Sequence, residues 1–316
     1  MKYLIAGILL LLSELVYFKI ADLLKIIDRP NVRSAHSNAA LRGGGIIFYL
    51  GIILYYLMFG FAYPWFLAGL TLITIISFAE DIKPISFKLR LIVHFISMAI
   101  MFYQLELFGL PWYLTLILLV FCTGIINAYN FMDGINGITG GYSLVIMGSI
   151  WYINTYQVAF VDDNLLYILM LALVVFNIFN FRNHVKCFAG DVGAISIAFI
   201  IVFLLGMLII KTGDFTYILL LALYGVDTII TIIRRIILKE NIFQAHRRHL
   251  FQLMANELKM PHLLVSSIYM VLQAIVAAGL ILSSSHYWYS LIVIVILSAT
   301  YLIVFKKYNS AKPNES

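Results

Sequence analysis

Apolar segments long enough to cross a bilayer follow one another from the first residues of the chain to Phe305, and that succession leaves little choice of architecture. A crossing helix needs about 20 mostly apolar residues. Eleven segments qualify, at roughly 3–22, 44–61, 64–79, 90–106, 112–130, 138–154, 164–181, 192–210, 215–233, 262–283 and 287–305. The expected fold is an all-α polytopic membrane protein of about 11 transmembrane helices. It divides into one membrane-embedded domain, 1–305, and a polar tail, 306–316. Of the 316 residues 63% are apolar and only 11% charged, which excludes a soluble enzyme, a disordered scaffold and a nucleic-acid-binding protein. The first segment carries Glu14 and Lys19 and lacks a small-residue cleavage site, so it reads as a span and not as a signal peptide. Cys122 and Cys187 are far apart, with no partner at metal-ligand spacing, and read as small apolar residues.

Eleven spans put the termini on opposite sides, and the cations choose between the two orientations. With the N-terminus outside, 19 of the 21 Lys and Arg residues fall at inner segments and only Lys2 and Lys211 fall outside. The outer loops carry Glu106, Asp162, Asp163 and Asp214 instead. Positive charge favours the cytoplasmic side, so the expected orientation is N-terminus outside and C-terminus cytoplasmic.

Five polar loops then share the inner face: 28–45, 79–90, 127–141, 179–194 and 227–252. Glu80, Asp81, Asp133, Asp191 and Asp227 each sit at the inner end of a span. An acid there costs free energy unless it is paired, hydrated or bound to metal. Any one of them alone reads as half of an ion pair; five on one face, three beside Gly or Asn, read as a site. Several carboxylates facing one cavity suit Mg²⁺, which takes oxygen ligands and keeps water and phosphate oxygens in its shell. Asn127, Asn130 and Asp133 share one side of a helix end, and the glycines at 134 and 137 free backbone N–H groups for phosphate oxygens. His246-Arg247-Arg248-His249 can bind phosphates; flanking Arg makes it a poor zinc site. His94 is expected to be a hydrogen-bonded packing residue within its span, and Asp162-Asp163 a solvated outer loop.

Taken together the loops resemble the polyprenyl-phosphate N-acetylhexosamine-1-phosphate transferases, glycosyltransferase family 4. The likeness covers about 25–255. It rests on Asp28-x-Pro30-Asn31-x-Arg33-Ser34-x-His36 with Arg42-Gly43-Gly44-Gly45, and on Glu80-Asp81 with Lys88 and Arg90. It continues through Asn130-Phe131-Met132-Asp133-Gly134-Ile135-Asn136-Gly137 and Lys186-x-Phe188-x-Gly190-Asp191-x-Gly193. It ends with Asp227-Thr228, Arg234-Arg235 and His246-Arg247-x-His249-x-x-Gln252, closest to the branch that initiates O-antigen. Glu80 stands where the family usually has Asp, Asn136 where it commonly has Asp, and Leu41 where it often has Pro. The three consecutive His of the peptidoglycan branch are absent, which argues against a muramoyl-pentapeptide substrate.

The resemblance implies attack of an undecaprenyl phosphate oxygen on the β-phosphorus of a UDP-N-acetylhexosamine, with UMP leaving. GlcNAc, GalNAc and deoxy amino sugars are all compatible, and O-antigen, capsule or a similar glycan would follow. It implies Mg²⁺, with Mn²⁺ as the alternative, on Asp191 and Asp133. Glu80 and Asp81 would deprotonate or orient the lipid phosphate. Arg42, Lys88, Lys186, His246, Arg247 and His249 would hold phosphates. Phe188 would stack on uracil, with Asn136 at the base edge and Asn130 nearby. It also implies a bacterial inner membrane location, cytosolic access for the nucleotide sugar, and a homodimer. The rival readings are a secondary transporter, a non-catalytic membrane subunit, and a transferase with another lipid acceptor. A transporter would place its ionisable groups and broken helices near mid-membrane, whereas here only Glu14 and His94 are mid-span.

Overall fold

Helices occupy all eleven apolar segments in the computed structural model, which describes residues 1–28, 40–241 and 247–311. They are α1 (Lys2–Leu23), α2 (Ile46–Phe59), α3 (Pro64–Ile82), α4 (Phe87–Gln104), α5 (Trp112–Met132) and α6 (Ile138–Tyr156). Then come α7 (Asp163–Asn180), α8 (Gly190–Thr212), α9 (Ala222–Ile237), a short α10 (Leu250–Gln252), α11 (His262–Leu282) and α12 (His286–Ala311). A 3₁₀ segment, Phe215–Leu221, leads into α9. Among the described residues nine helices are long and apolar enough to cross a membrane, counting Phe215–Ile237 as one. The other two segments differ for visible reasons. Helix α2 has only 14 residues. Helix α6 carries Thr139, Gly140, Gly141 and Ser143, all buried against neighbouring helices and not facing lipid.

Helix α8 is the hub. Its sequence is apolar around the whole circumference, as expected of a helix enclosed by others. It packs on α2, α3 and α5. Helix α9 has the reverse of a soluble amphipathic pattern. Its inward face holds Asp227, Thr231 and Arg235, while Ile229, Ile233, Ile236 and Ile237 are exposed. Polar residues inside and apolar residues outside are what a bilayer demands.

The junction between the 3₁₀ segment and α9 falls within a span, where backbone groups that leave the helical pattern need partners other than water. Gln273 of α11 supplies them: its Nε2 donates to Leu219 O at 3.0 Å, and its Oε1 accepts from Leu223 N at 3.2 Å. Tyr142 OH donates to the same Oε1 at 2.8 Å.

A small ladder interrupts the all-helical plan. Strand β1 (Ile27–Asp28) pairs antiparallel with β2 (Ala40–Leu41). Leu41 in turn forms a parallel bridge with Cys187. This ladder joins the first and fourth polar loops.

Two expectations are corrected at this level. His94 is fully buried on α4, but neither ring nitrogen has a hydrogen-bond partner among the described residues. Asp162 and Asp163 are not merely solvated. Asp162 caps α7 by accepting from Asn164 N at 3.0 Å and also accepts from Tyr55 OH at 3.0 Å. Asp163 accepts from Asn154 at 2.8 Å.

Candidate active site

The site begins with a salt-bridge knot at one end of the bundle. Asp81, in the last turn of α3, has a side chain wholly sealed from solvent. Arg42 Nε meets its Oδ1 at 2.6 Å. The guanidinium's NH2 reaches on to Asp191 Oδ1 at 3.3 Å. Arg90 NH1 lies 3.6 Å from Asp191 Oδ2 and 3.6 Å from Glu80 Oε1. Glu80 Oε2 accepts from Ile85 N at 2.6 Å, which closes the α3–α4 turn. Three acids and two guanidiniums from three separate loops thus share one cluster.

Backbone geometry brings these loops so close. Leu41 N donates to Lys186 O at 3.2 Å, Phe188 N to Leu41 O at 2.8 Å and Gly44 N to Phe188 O at 2.9 Å. Gly190 adopts φ +71°, a left-handed conformation that L side chains rarely adopt. A Cβ there would also fall 2.5 Å from Asp81 Oδ2. Gly45 and Gly193 touch backbone to backbone, leaving no room for a Cβ on either.

The central loop joins through Asn180. Gly137 N donates to Asn180 Oδ1 at 2.8 Å, and Asn180 Nδ2 donates to Cys187 O at 2.8 Å. Asp133, just past α5, accepts from Thr139 Oγ1 at 2.6 Å. Burial lifts its carboxyl to about 6; the Thr139 bond pulls it down, the Asp191 charge pushes it up and Arg42 pulls it back. For Arg42, burial works against the charged form, but Asp81, Asp191 and Asp28 outweigh it and hold the guanidinium above its ordinary value.

The fifth loop closes over the central one. Phe251 covers Gly134, where a Cβ would sit 2.9 Å from its ring. His249 is buried, with Nδ1 3.1 Å from Asp227 Oδ1. Arg247 is exposed beside it.

The residues expected at the site are therefore gathered unevenly. Arg42, Glu80, Asp81 and Asp191 form the knot, and Asp133 couples to it electrostatically. Phe188 is half-buried on the ladder, and Lys186 beside it is exposed. Lys88 is exposed, and among the described residues no ion pair ties it to the knot. Asn130 is half-buried in the last turn of α5. Asn136 is buried with its amide committed: Nδ2 donates to Arg182 O at 3.0 Å and Asn183 O at 3.3 Å, and Oδ1 lies 3.2 Å from His262 Nδ1. Reading a base edge would require exchanging those bonds. His246 lies outside the described residues, as do Pro30, Asn31, Arg33, Ser34 and His36. Asn180 and His262, which hold loops together, carried no signal; neither stands in a pattern that spacing alone marks.

A divalent cation has suitable donors here. Asp191 and Asp133 offer hard carboxylate oxygens. Among the described residues no group of three or more His, Cys, Asp or Glu could hold a metal ion. That donor set suits Mg²⁺, which often takes only one or two carboxylates beside water and phosphate oxygens, and does not suit a zinc cage.

Residues 63–210 match the model of glycosyl transferase family 4. A probable undecaprenyl-phosphate N-acetylglucosaminyl 1-phosphate transferase of Bacillus subtilis is 26% identical over 280 residues, covering 79% of this chain and 76% of the relative. An undecaprenyl-phosphate alpha-N-acetylglucosaminyl 1-phosphate transferase of Thermotoga maritima is 24% identical, covering 77% and 78%. The enzyme of the same description from Yersinia pestis is 29% identical over 59% of this chain, and the chain spans 56% of that relative's length.

Proposed function

We propose that the chain, whose residues 63–210 match glycosyl transferase family 4, transfers an N-acetylhexosamine-1-phosphate from its UDP derivative to undecaprenyl phosphate, releasing UMP. The product would begin a bacterial surface polysaccharide such as O-antigen or capsule. The observation that carries this reading is the knot of Arg42, Asp81, Arg90 and Asp191, three loops drawn together at one end of a membrane bundle. In our reading that end faces the cytoplasm, the N-terminus is outside, eleven helices span the inner membrane, and the protein works as a homodimer.

Both substrates are polyanions, so the barrier is largely charge repulsion and positioning. Mg²⁺ held by Asp191 and Asp133 would supply positive charge to the diphosphate. Arg42 and Arg90 are already directed at Asp191 and would turn to phosphate oxygens, for which their forked donors are suited. Lys88, Lys186, His246, Arg247 and His249 would supply the remaining cationic contacts. Asp81 is sealed and saturated, so we assign it to orienting Arg42 and the start of α8 and not to proton abstraction. Glu80, paired with Arg90 and not sealed as Asp81 is, is then the acid placed to orient the lipid phosphate. Phe188 would stack on uracil, with Asn130 and Asn136 beside the base. The attacking lipid oxygen forms a bond to the β-phosphorus as the bond to UMP breaks.

The test is the purified protein with labelled UDP-GlcNAc, undecaprenyl phosphate and Mg²⁺, followed by the mass of the extracted lipid. A polyprenyl diphosphate-sugar with stoichiometric UMP is the expected product, and a panel of UDP-amino sugars identifies the donor. Labelled nucleotide sugar accumulating inside proteoliposomes with no lipid product would replace this reading with transport.

A further inference from the structure

Asp227 has more partners than its place in an apolar span requires, and no role assigned above uses it. It is 2% exposed. Its Oδ1 accepts from Leu250 N at 3.0 Å and from Thr231 Oγ1 at 3.3 Å, and its Oδ2 accepts from Tyr269 OH at 2.7 Å. The Thr231 hydroxyl is also 2.8 Å from Tyr301 OH, so α9, α11 and α12 all converge on this carboxylate. Its remaining contact is His249 Nδ1 at 3.1 Å.

A buried carboxylate surrounded by donors is suited to its ionised form, which can only accept hydrogen bonds. The nitrogen facing it must therefore carry a proton. With Nδ1–H committed to Asp227, the chemistry of the His249 ring passes to Nε2. The loop is held as well as the ring: Leu250 N is bound to the same oxygen, and Phe251 covers Gly134 beside Asp133. We propose that Asp227 is a positioning residue for the transfer, fixing the His249 ring through Nδ1–H so that Nε2, protonated as well when substrate is bound, donates to a substrate phosphate. This rests on the reading above that His249 holds phosphate; the phosphate is that of the nucleotide sugar or that of the lipid.

The test uses the full-length protein in nanodiscs. Asp227→Asn removes the charge and keeps one oxygen, which accepts from Tyr269 OH when the amide nitrogen replaces Oδ1 and offers Nδ1 a donor. Nitrogen-15 NMR of His-labelled protein, with His249→Gln assigning the resonance, should show Nδ1–H in the parent chain and a changed tautomer in Asp227→Asn. Transfer by Asp227→Asn should fall about 10–100-fold, as when the partner orienting a functional His is lost. A raised KM for UDP-GlcNAc, or for undecaprenyl phosphate, tells which phosphate His249 serves. Combined with His249→Ala, Asp227→Asn should cause no further loss. If Asp227→Asn does not fold, Tyr269→Phe carries the same double-variant test with a smaller loss. Additive losses, or an Nε2–H tautomer in the parent chain, would overturn the proposal. The tautomer is read without substrate, so it stands or falls separately from the transferase reading.

Discussion

Asp81 caps the helix that carries Asp191. Its Oδ1 accepts from Asp191 N at 2.9 Å and its Oδ2 from Val192 N at 3.0 Å. An acid at a helix N-terminus satisfies donors that the helix itself cannot and complements its dipole. Asp81 also holds Arg42, so one sealed carboxylate sets the position of the acid and the cation nearest the proposed chemistry.

Asp191→Asn should abolish transfer while the protein remains folded. The amide is a poor Mg²⁺ ligand and cannot balance Arg42 and Arg90; a loss of at least about 10²–10³ in rate is expected. Asp162→Asn is the control, since Asn caps a helix as well as Asp does and position 162 lies at the other end of the bundle. UMP release by membranes carrying each variant measures both. Near-normal release by Asp191→Asn would remove Asp191 from the proposed metal site.

Chelation should stop the reaction reversibly. EDTA-treated protein is expected to release no UMP, and added Mg²⁺ to restore the rate. Undiminished turnover in metal-free buffer would refute a metal role for Asp133 and Asp191.

Gly45→Ala should lower the melting temperature by several degrees, because a Cβ there overlaps Gly193 and overpacking typically costs about 1–3 kcal/mol. Gly148→Ala, within α6 where nothing lies near an added Cβ, should be neutral or stabilising by about 0.5–1 kcal/mol. Thermal unfolding of the two variants side by side separates a packing requirement from a general intolerance of substitution.

At the opposite end, Asp214 predicts an acid dependence of stability. Burial alone would raise its pKa. Hydrogen bonds from Thr216 and the contact with His286 Nδ1 at 2.6 Å outweigh burial and hold it below the ordinary 3.8. The unfolded chain therefore takes up this proton first as pH falls. The carboxylate stabilises the fold above about pH 4, and that contribution is lost as pH drops through the folded value. Asp214→Asn should melt about 1–2 °C lower at pH 7, with the gap closing near pH 3. A gap that stays constant with pH would show that the ionised carboxylate contributes nothing.

The helical segments were legible because a bilayer imposes one length and one composition, and Glu80, Asp81, Asp133 and Asp191 were legible because each stood at a helix end; Asp227, expected at the inner end of its span, lies inside α9 instead. What could not be read was how the acids are used. Asp81 and Asp191 look alike in sequence, yet one is sealed under a helix start and the other faces two guanidiniums. Asn136 sits in a motif that suggests base recognition, but its amide is occupied by Arg182, Asn183 and His262. His94 reads as a hydrogen-bonded packing residue, yet among the described residues neither ring nitrogen has a hydrogen-bond partner. Such facts depend on contacts between residues distant in the chain, which neither spacing nor composition encodes.

The bridge from Leu41 to Cys187 has a consequence for how the protein is made. Arg42 precedes its partner Asp191 by 149 residues, and six helices, α2 to α7, are made between them before that partner leaves the ribosome. Until then Gly45 lacks the backbone of Gly193 that it packs against. A nascent chain stalled before α8 would hold the partners of the Arg42–Asp81 and Arg90–Glu80 pairs but not Asp191, so completion of the knot waits on translation of α8 and not on the stability of any single helix.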